Sequence, residues 1–528
     1  MAALNASQTV AGANRAFDDA SQWYDDLDQF YDYIAPYRKG SNKNARYTDR
    51  LSKLYDSTAP ISLLRAAGRL QRDLTPPFQT FFNLELGPAA DGMDPDEAKA
   101  WNEQLERIAR TVHAAIDTGN WHASSQEMFL DYLAGQGAML MLEGDDEQPI
   151  RFVAVPVNEI ALEDDGFGQV GRVHWRQTRA ARVLVDRWPN ATWPKDVMDA
   201  AKDGRSTREF EITQTTYYDR PAKVWRRMVA VKAGDGVVSV ETGSSLTNPW
   251  LTPRYFKVPG EPMGRGPGMF VLPDVKVANK TVELLLRAAA VAIVGIWAKT
   301  PGPGFNANMS RVAPGAILNV ARNGSGNLGP SLSRLETPGS FDISSIILEE
   351  FRQRIREGLH DRNLPPDAGP VRSASEVVER LRFYAEDLQV AFGRQTLEIV
   401  VPLVKRCIEI LYNRGLIKTN LPINQLFVRV RIVSPLAESQ AIGEIQRIVD
   451  WLTMVSQLLG EEGMILSAKV EEIGGELARL RGVPEKWVRS KADRDTLQEL
   501  AAAMLAKAQA PEEQQQGTAI NGQPGAGA

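Results

Sequence analysis

The stretch from Leu272 to His360 constrains this chain most, because it reads as a helix, a long Pro- and Gly-rich insertion, and a second helix. Pro273 stands at a helix start, where its missing N–H leaves no bond unmade. Val277, Ala278, Val282, Leu285, Leu286, Ala289, Ile293 and Ile296 then recur at helical spacing as far as Trp297, and Pro301-Gly302-Pro303-Gly304 ends the run. Beyond the insertion Asp342 is placed to cap a second helix. There Ile343, Ile347, Phe351, Ile355 and Leu359 repeat every four residues and share one face. At a rise of about 1.5 Å per residue the helices would be roughly 37 Å and 28 Å long. Two apolar-striped helices with a compact module between them make a strut with a tip, not an enzyme core.

The chain has 528 residues, ample for a core and of a length that suggests about three domains. The net charge of −5 gives no global basic signature for nucleic acid, so any DNA contact needs local patches or an assembled ring. The single cysteine, Cys407, excludes an internal disulfide framework and suits a reducing compartment. The opening residues lack a basic segment followed by an apolar run, so no signal peptide is expected. The longest apolar run, Ala288 to Ala298, is short of the about 20 residues a membrane span needs and reads as a buried helix.

Taken in order, residues 13–36 predict one helix with Ala20, Trp23, Tyr24, Leu27, Tyr31 and Ile34 on a stripe. Its other face carries Asp18, Asp25, Asp26 and Asp32, which could hold a metal but fit the solvated face of an amphipathic helix. Further helices are predicted over 59–74, 94–118 and 124–135, with a strand or extended segment from Phe78 to Leu86 after Pro76-Pro77. From Gly137 the period changes to alternation, and strands are predicted over 138–142, 151–156, 170–177, 210–218, 224–231 and 237–241. Helices over 178–188 and 194–202 interrupt this mainly antiparallel block. The Glu163-Asp164-Asp165 cluster could bind a cation, but a plain turn is the simpler reading, since no calcium-loop spacing follows it. Asn363 to Pro370 is too proline-rich for helix and predicts an extended loop. Ser373-x-x-Glu376 is a capping box opening a long helix, with a kink predicted from Gly393 and Pro402 and an end at Gly415. A strand over 427–433 and helices over 435–461, 465–480 and 491–508 follow, and the Gln/Gly/Pro-rich 509–528 lacks apolar periodicity, as disordered segments do.

Motifs for chemistry are absent. His113, His122, His174 and His360 are scattered without metal-ligand spacing, and no P-loop, nucleophile elbow or Cys/His cluster occurs. Gly324-Ser-Gly-Asn-Leu-Gly329 is formally G-x-G-x-x-G, but Pro330 follows where a helix should open, so a pyrophosphate would lack its helix N-terminus. A loop is the simpler reading. No catalytic residue, metal ligand or cofactor is expected. Lys299, Arg311, Arg322 and Arg334 give the insertion a mild positive balance against Glu336; this could meet an acidic partner or phosphates, and ordinary solvation explains it as well.

Several stretches in collinear order resemble the head-to-tail connector (portal) proteins of short-tailed, podovirus-type bacteriophages. They are Arg46-Tyr47 with Leu54-Tyr55-Asp56-Ser57-Thr58, Leu74-Thr75-Pro76-Pro77 with a following aromatic, and Pro253-Arg254-Tyr255. Met263-Gly264-Arg265-Gly266-Pro267, Leu272-Pro273-Asp274 and Ser373-Ala374-Ser375-Glu376-Val377-Val378-Glu379-Arg380 complete the series. Met263 stands where an aromatic is expected before Gly-Arg-Gly. The similarity covers residues 13–510 and rests on the order of the motifs, none of which is specific alone.

The resemblance implies an α+β portal-like subunit. A wing of N-terminal helices and antiparallel β module would span 1–272. Stem helices would occupy 273–298 and 342–360, with a small α/β clip over 299–341 between them. A tunnel loop would follow over 361–372, then a kinked wing helix and strand over 373–435, a helical crown over 436–510 and a disordered tail over 511–528. It further implies a homo-oligomeric ring, typically a dodecamer, at one capsid vertex, through which double-stranded DNA is packaged and ejected. Capsid and scaffold proteins, terminase and tail adaptor proteins would be partners, with no membrane, and the protein would reside in the virion after assembly in the host cytoplasm. Arg362 and Arg372 would then face DNA, and Arg311, Arg322 and Arg334 would serve partner contacts at the clip. Another structural ring protein of a virion or secretion system, and a nucleotide-binding enzyme using the Gly324 loop, are the alternatives.

Overall fold

The structure, a computed structural model, describes residues 5–38, 51–90, 92–203, 206–233, 236–294, 296–299, 332–335, 341–361, 393–418, 426–433 and 435–469, with a few isolated positions beyond. It is a mixed α+β fold. The chain divides into a larger unit, Met1–Gln79 with Ala114–Lys418, and a smaller one, Thr80–His113 with Thr419–Ala528.

In the larger unit the expected single N-terminal helix is two. Helix α1 (Ala6–Asp19) is opened by an Asn5–Gln8 capping box, and α2 (Ser21–Tyr33) follows a break at Ala20. The break separates two jobs. α1 lays the small residues Gly12, Ala13 and Ala16 on a β-sheet, whereas α2 buries Trp23, Leu27, Phe30 and Tyr31 among helices. Helix α3 (Thr58–Leu74) matches its apolar stripe, with Leu63, Ala66, Ala67, Leu70 and Leu74 buried.

The smaller unit pairs strand β1 (Phe82–Leu86) antiparallel with the strand Val428–Ile432, and the first part of helix α4 (Pro95–Thr118) belongs to it. His113 stacks on Phe82 at 4.1 Å and its Nε2 lies 2.9 Å from the Phe82 carbonyl, so it is a buried structural histidine.

Helix α5 (Trp121–Tyr132) leads into the β module. Strands β2 (Met139–Glu143), β3 (Ile150–Ala154), β4 (Ile160–Asp164), β5 (Val170–Ala180), β6 (Glu209–Asp219), β7 (Val224–Ala233), β8 (Gly236–Ser245) and β9 (Trp250–Leu251) form two antiparallel sheets. Their orders are β3-β2-β9 and β4-β5-β6-β7-β8. Alternation misses β4, whose Ile160, Ala161 and Leu162 are all buried. It also ends β5 too early: Thr178, Arg179 and Ala180 still pair with β6, and helix α6 spans only Ala181–Arg187. Helix α7 (Lys195–Lys202) closes one face with α6, over a core of Phe210, Ile212, Val229, Val231 and Val240.

Short strands β10 (Phe256–Lys257) and β11 (Gly264–Arg265) and helix α8 (Pro267–Phe270) then feed helix α9 (Leu272–Val294). This helix was expected to continue to residue 298. Instead Ile296–Lys299 is strand β12, paired antiparallel with β13 (Leu332–Leu335). Gly295 is a poor helix former, and Ile296 and Trp297 favour a strand once a partner exists. Helix α10 (Phe341–Gly358) packs on α9. The predicted kink near Pro402 is a π-helical turn, Thr396–Val400, ahead of helix α11 (Val401–Asn413), as expected where a proline withholds its N–H. Gly415, at φ +74°, ends that segment.

In the smaller unit the expected strand is β14 (Val428–Ile432), and helix α12 (Pro435–Ser467) is interrupted at Gly460, close to the end predicted at 461.

Candidate functional site

The described residues converge on a polar joint at the base of the α9–α10 pair. Asn279 sits in the buried stripe of α9, 5% exposed, and acts as a bracket. Its Oδ1 accepts the backbone N–H groups of Tyr55 at 2.6 Å and Asp56 at 3.1 Å, and its Nδ2 donates to the Lys53 carbonyl at 3.0 Å. The segment before α3 is therefore pinned to the first long helix.

Asp56 extends the bracket to the second helix. One carboxylate oxygen accepts from Thr58 N at 2.9 Å at the start of α3, and the other accepts from Arg352 Nε and Nη2 of α10, both at 2.9 Å. Burial pushes this carboxyl up, but the hydrogen bonds from Thr58 and Arg352 outweigh it and hold it below its ordinary value.

A second acid–arginine link runs in the opposite sense. Asp361, 3% exposed, follows α10 and accepts from Ser62 Oγ at 2.9 Å, Arg69 Nη2 at 3.2 Å and Arg65 Nη1 at 3.5 Å. Residues 62, 65 and 69 lie on one face of α3. Arg69 also donates to the His360 carbonyl at 2.9 Å, and Tyr255 Oη lies 3.1 Å from His360 Nε2. His360 has φ +55°, unusual for a residue with a Cβ, and these contacts hold it there. The segment leading into α3 thus supplies an acid to a base on α10, and α3 itself supplies two bases to the acid beyond α10, which fixes both position and direction.

The neighbouring stretches are joints of the same kind. Arg254, 3% exposed, donates from its backbone to Glu398 at 2.7 Å and from Nη2 at 3.2 Å. At Gly264 a Cβ would stand 2.3 Å from the Gly135 carbonyl oxygen, so the close approach requires glycine. Trp23 Nε1 donates to the Gly264 carbonyl at 2.8 Å.

Of the residues singled out in sequence, Arg362, Arg372, Arg311, Arg322 and the Gly324 loop lie outside the described residues. Arg334 is in β13 opposite Trp297. Asp56 lay in a motif but without a partner, and Asn279, Arg352 and Asp361 were missed. A polar residue inside an apolar stripe, as Asn279 is, was the available signal. The Glu163-Asp164-Asp165 cluster is a turn held by its own side chains: Asp164 accepts from Gly166 N and Gly168 N, and Asp165 from Phe167 N and Gln169 N. Glu163 instead binds Arg172 and the buried His174. Among the described residues no three His, Cys, Asp or Glu side chains form a metal-holding group.

A joint built of paired acids, arginines and close-packed glycines positions helices; it offers no activated nucleophile. The family model described as bacteriophage head to tail connecting protein matches residues 7–488. The chain belongs to that family. No curated protein matches it. Head-to-tail connecting proteins are structural virion components that associate with phage capsid and tail parts, and the family is not known for enzymes. Among the described residues no helix is long and apolar enough to cross a membrane.

Proposed function

We propose that this connector is a portal subunit, forming a ring at one capsid vertex through which double-stranded DNA enters and leaves. In this reading α9 and α10 are the stem, the segment around β12 and β13 is the clip, and the residues after Asp361 form the tunnel loop. The β module with the N-terminal helices is the wing, and the helices after β14 are the crown.

The supporting observation is the uncovered apolar surface of the helix pair. Leu286 on α9 is 55% exposed and Ile346 on α10 is 70% exposed, with Leu284 and Ile347 also in water. A lone subunit would leave these groups solvated, whereas a neighbouring copy of the same pair covers them, as a closed ring does. The clamp at the base keeps each pair in register while DNA passes. The net charge of −5 suits passage, because extensive phosphate neutralisation would hold the duplex still. Arg362 and Arg372 touch the DNA. Arg311, Arg322 and Arg334 face the terminase during packaging and tail adaptors afterwards. Assembly takes place in the host cytoplasm with scaffold and capsid proteins.

Negative-stain electron microscopy with native mass measurement tests the ring. A dozen subunits around a hole wide enough for duplex DNA is the expected result, and a stable monomer that binds nucleotide overturns the reading. Arg372→Glu should leave rings intact and impair packaging or DNA retention; normal packaging by that variant refutes the channel assignment.

A further inference from the structure

One face of the five-stranded sheet, beside the core that α6 and α7 close over, carries polar groups that the fold leaves unpaired. Across β5, β6, β7 and β8, Trp175 stands opposite Gln214, Gln214 opposite Val229 and Val229 opposite Glu241. Gln177 is two residues from Trp175, and Arg227 two residues from Val229, so all share that face. Gln177 and Gln214 are 3% and 1% exposed, yet the Nε2 of each has no hydrogen-bond partner. Arg227 Nε and Glu241 Oε2 are likewise buried without partners, while Arg227 Nη2 donates to Glu241 Oε1 at 2.6 Å.

Arg187, the last residue of α6, reaches over this patch. Its guanidinium lies 4.6 Å from the Trp188 ring centre and 5.0 Å from that of Trp175. Nη1 is 3.5 Å from Gln177 Oε1, at the limit of a hydrogen bond. Partial burial, then the nearby Arg179 and Arg227 guanidiniums, push its pKa down against the opposing pull of Glu241. Buried polar groups are as a rule met by hydrogen-bond partners. A ligand that suits these groups accepts several hydrogen bonds and donates one to Glu241.

We propose that this face of the sheet binds hydrogen phosphate, with Gln177, Gln214, Arg227 and Arg187 donating to its oxygens and Glu241 accepting its O–H. Inorganic phosphate near neutral pH has that proton. Sulfate and the phosphodiesters of DNA do not, so the site distinguishes free phosphate from both. The inference does not depend on the ring.

Isothermal titration calorimetry of the full chain, at constant ionic strength against chloride, tests it. Sodium phosphate should bind saturably, and sulfate or a short DNA duplex should bind at least tenfold more weakly at this site. Arg187→Gln, at the exposed rim, should weaken phosphate at least tenfold, and Glu241→Gln should abolish the preference over sulfate. Arg182→Gln, five residues earlier in α6 and exposed, should change nothing. No phosphate binding, equal binding of phosphate and sulfate by the wild type, or unaltered phosphate binding by Arg187→Gln overturns the proposal. Circular dichroism confirms that each variant is folded, and Arg187→Gln keeps the proposal falsifiable should Glu241→Gln not fold.

Discussion

The Asp56–Arg352 link can be taken apart quantitatively. Arg352→Met keeps most of the side-chain length but removes the guanidinium, leaving a carboxylate that is 5% exposed with the α3 start as its remaining support. Removing one partner of a fully buried pair costs about 3–5 kcal/mol. Arg352 is one-third exposed (33%), so water can enter, and about 2 kcal/mol is the appropriate figure. Asp56→Asn retains an oxygen for Thr58 N and releases Arg352 towards solvent, which should cost about 1 kcal/mol. Combined, the two changes should cost at least about 1 kcal/mol less than their sum, because the second breaks nothing the first has left. Hydrogen exchange of the α10 amides, compared in the same assembly state, reads these costs locally and needs no two-state unfolding of a 528-residue chain. At 1.4 kcal/mol per factor of ten, Arg352→Met should speed exchange about 30-fold and Asp56→Asn about fivefold. The sign of the pH effect follows from the lowered Asp56 pKa. The unfolded chain binds the proton first, so the link is complete above the ordinary carboxylate value of about 3.9 and is lost as pH falls through the lower folded value. Additive single and double variants, within about 0.5 kcal/mol, would refute the clamp.

Two glycines should respond in opposite directions. Gly264→Ala drives a Cβ into the Gly135 carbonyl and the Arg254 backbone and should cost about 3 kcal/mol or more, seen as lost soluble protein or a lower thermal midpoint. Gly68→Ala, in the interior of α3 with nothing within 4 Å of the new methyl, should raise stability by about 1 kcal/mol. Cys407 is fully buried and burial pushes its thiol far up, so it should be silent to a thiol reagent at pH 8 until denaturant is added, when one thiol per chain titrates; rapid native labelling would contradict that burial.

What could be read from sequence divides along physical lines. The stripe of α3 was legible over 59–74 because periodic burial against one neighbour leaves a periodic pattern. The break at Ala20 was not, since alanine is the best helix former and only the different packing of α1 and α2 interrupts the run. Helical spacing runs on as far as Trp297, but the last few apolar residues suit either period, and the strand there depends on a partner at Arg334. The clamp was illegible for a related reason: Asp56 and Arg352 lie 296 residues apart, and nothing local marks either as half of a pair.

The stretches that carry the family resemblance nevertheless fall on these joints. Tyr55-Asp56 holds both long helices, Arg254-Tyr255 reaches Glu398 and His360, and Gly264 meets Gly135 at backbone distance. Core positions exchange one apolar side chain for another at modest cost if volume is kept. A buried carboxylate facing an arginine, or a glycine under a carbonyl, has no comparable substitute, because the alternative is an unpaired group or a clash. Identity at such positions is set by geometry rather than by average hydrophobicity, so a collinear series of short motifs can mark a connector where the apolar stripes alone fit many helical folds.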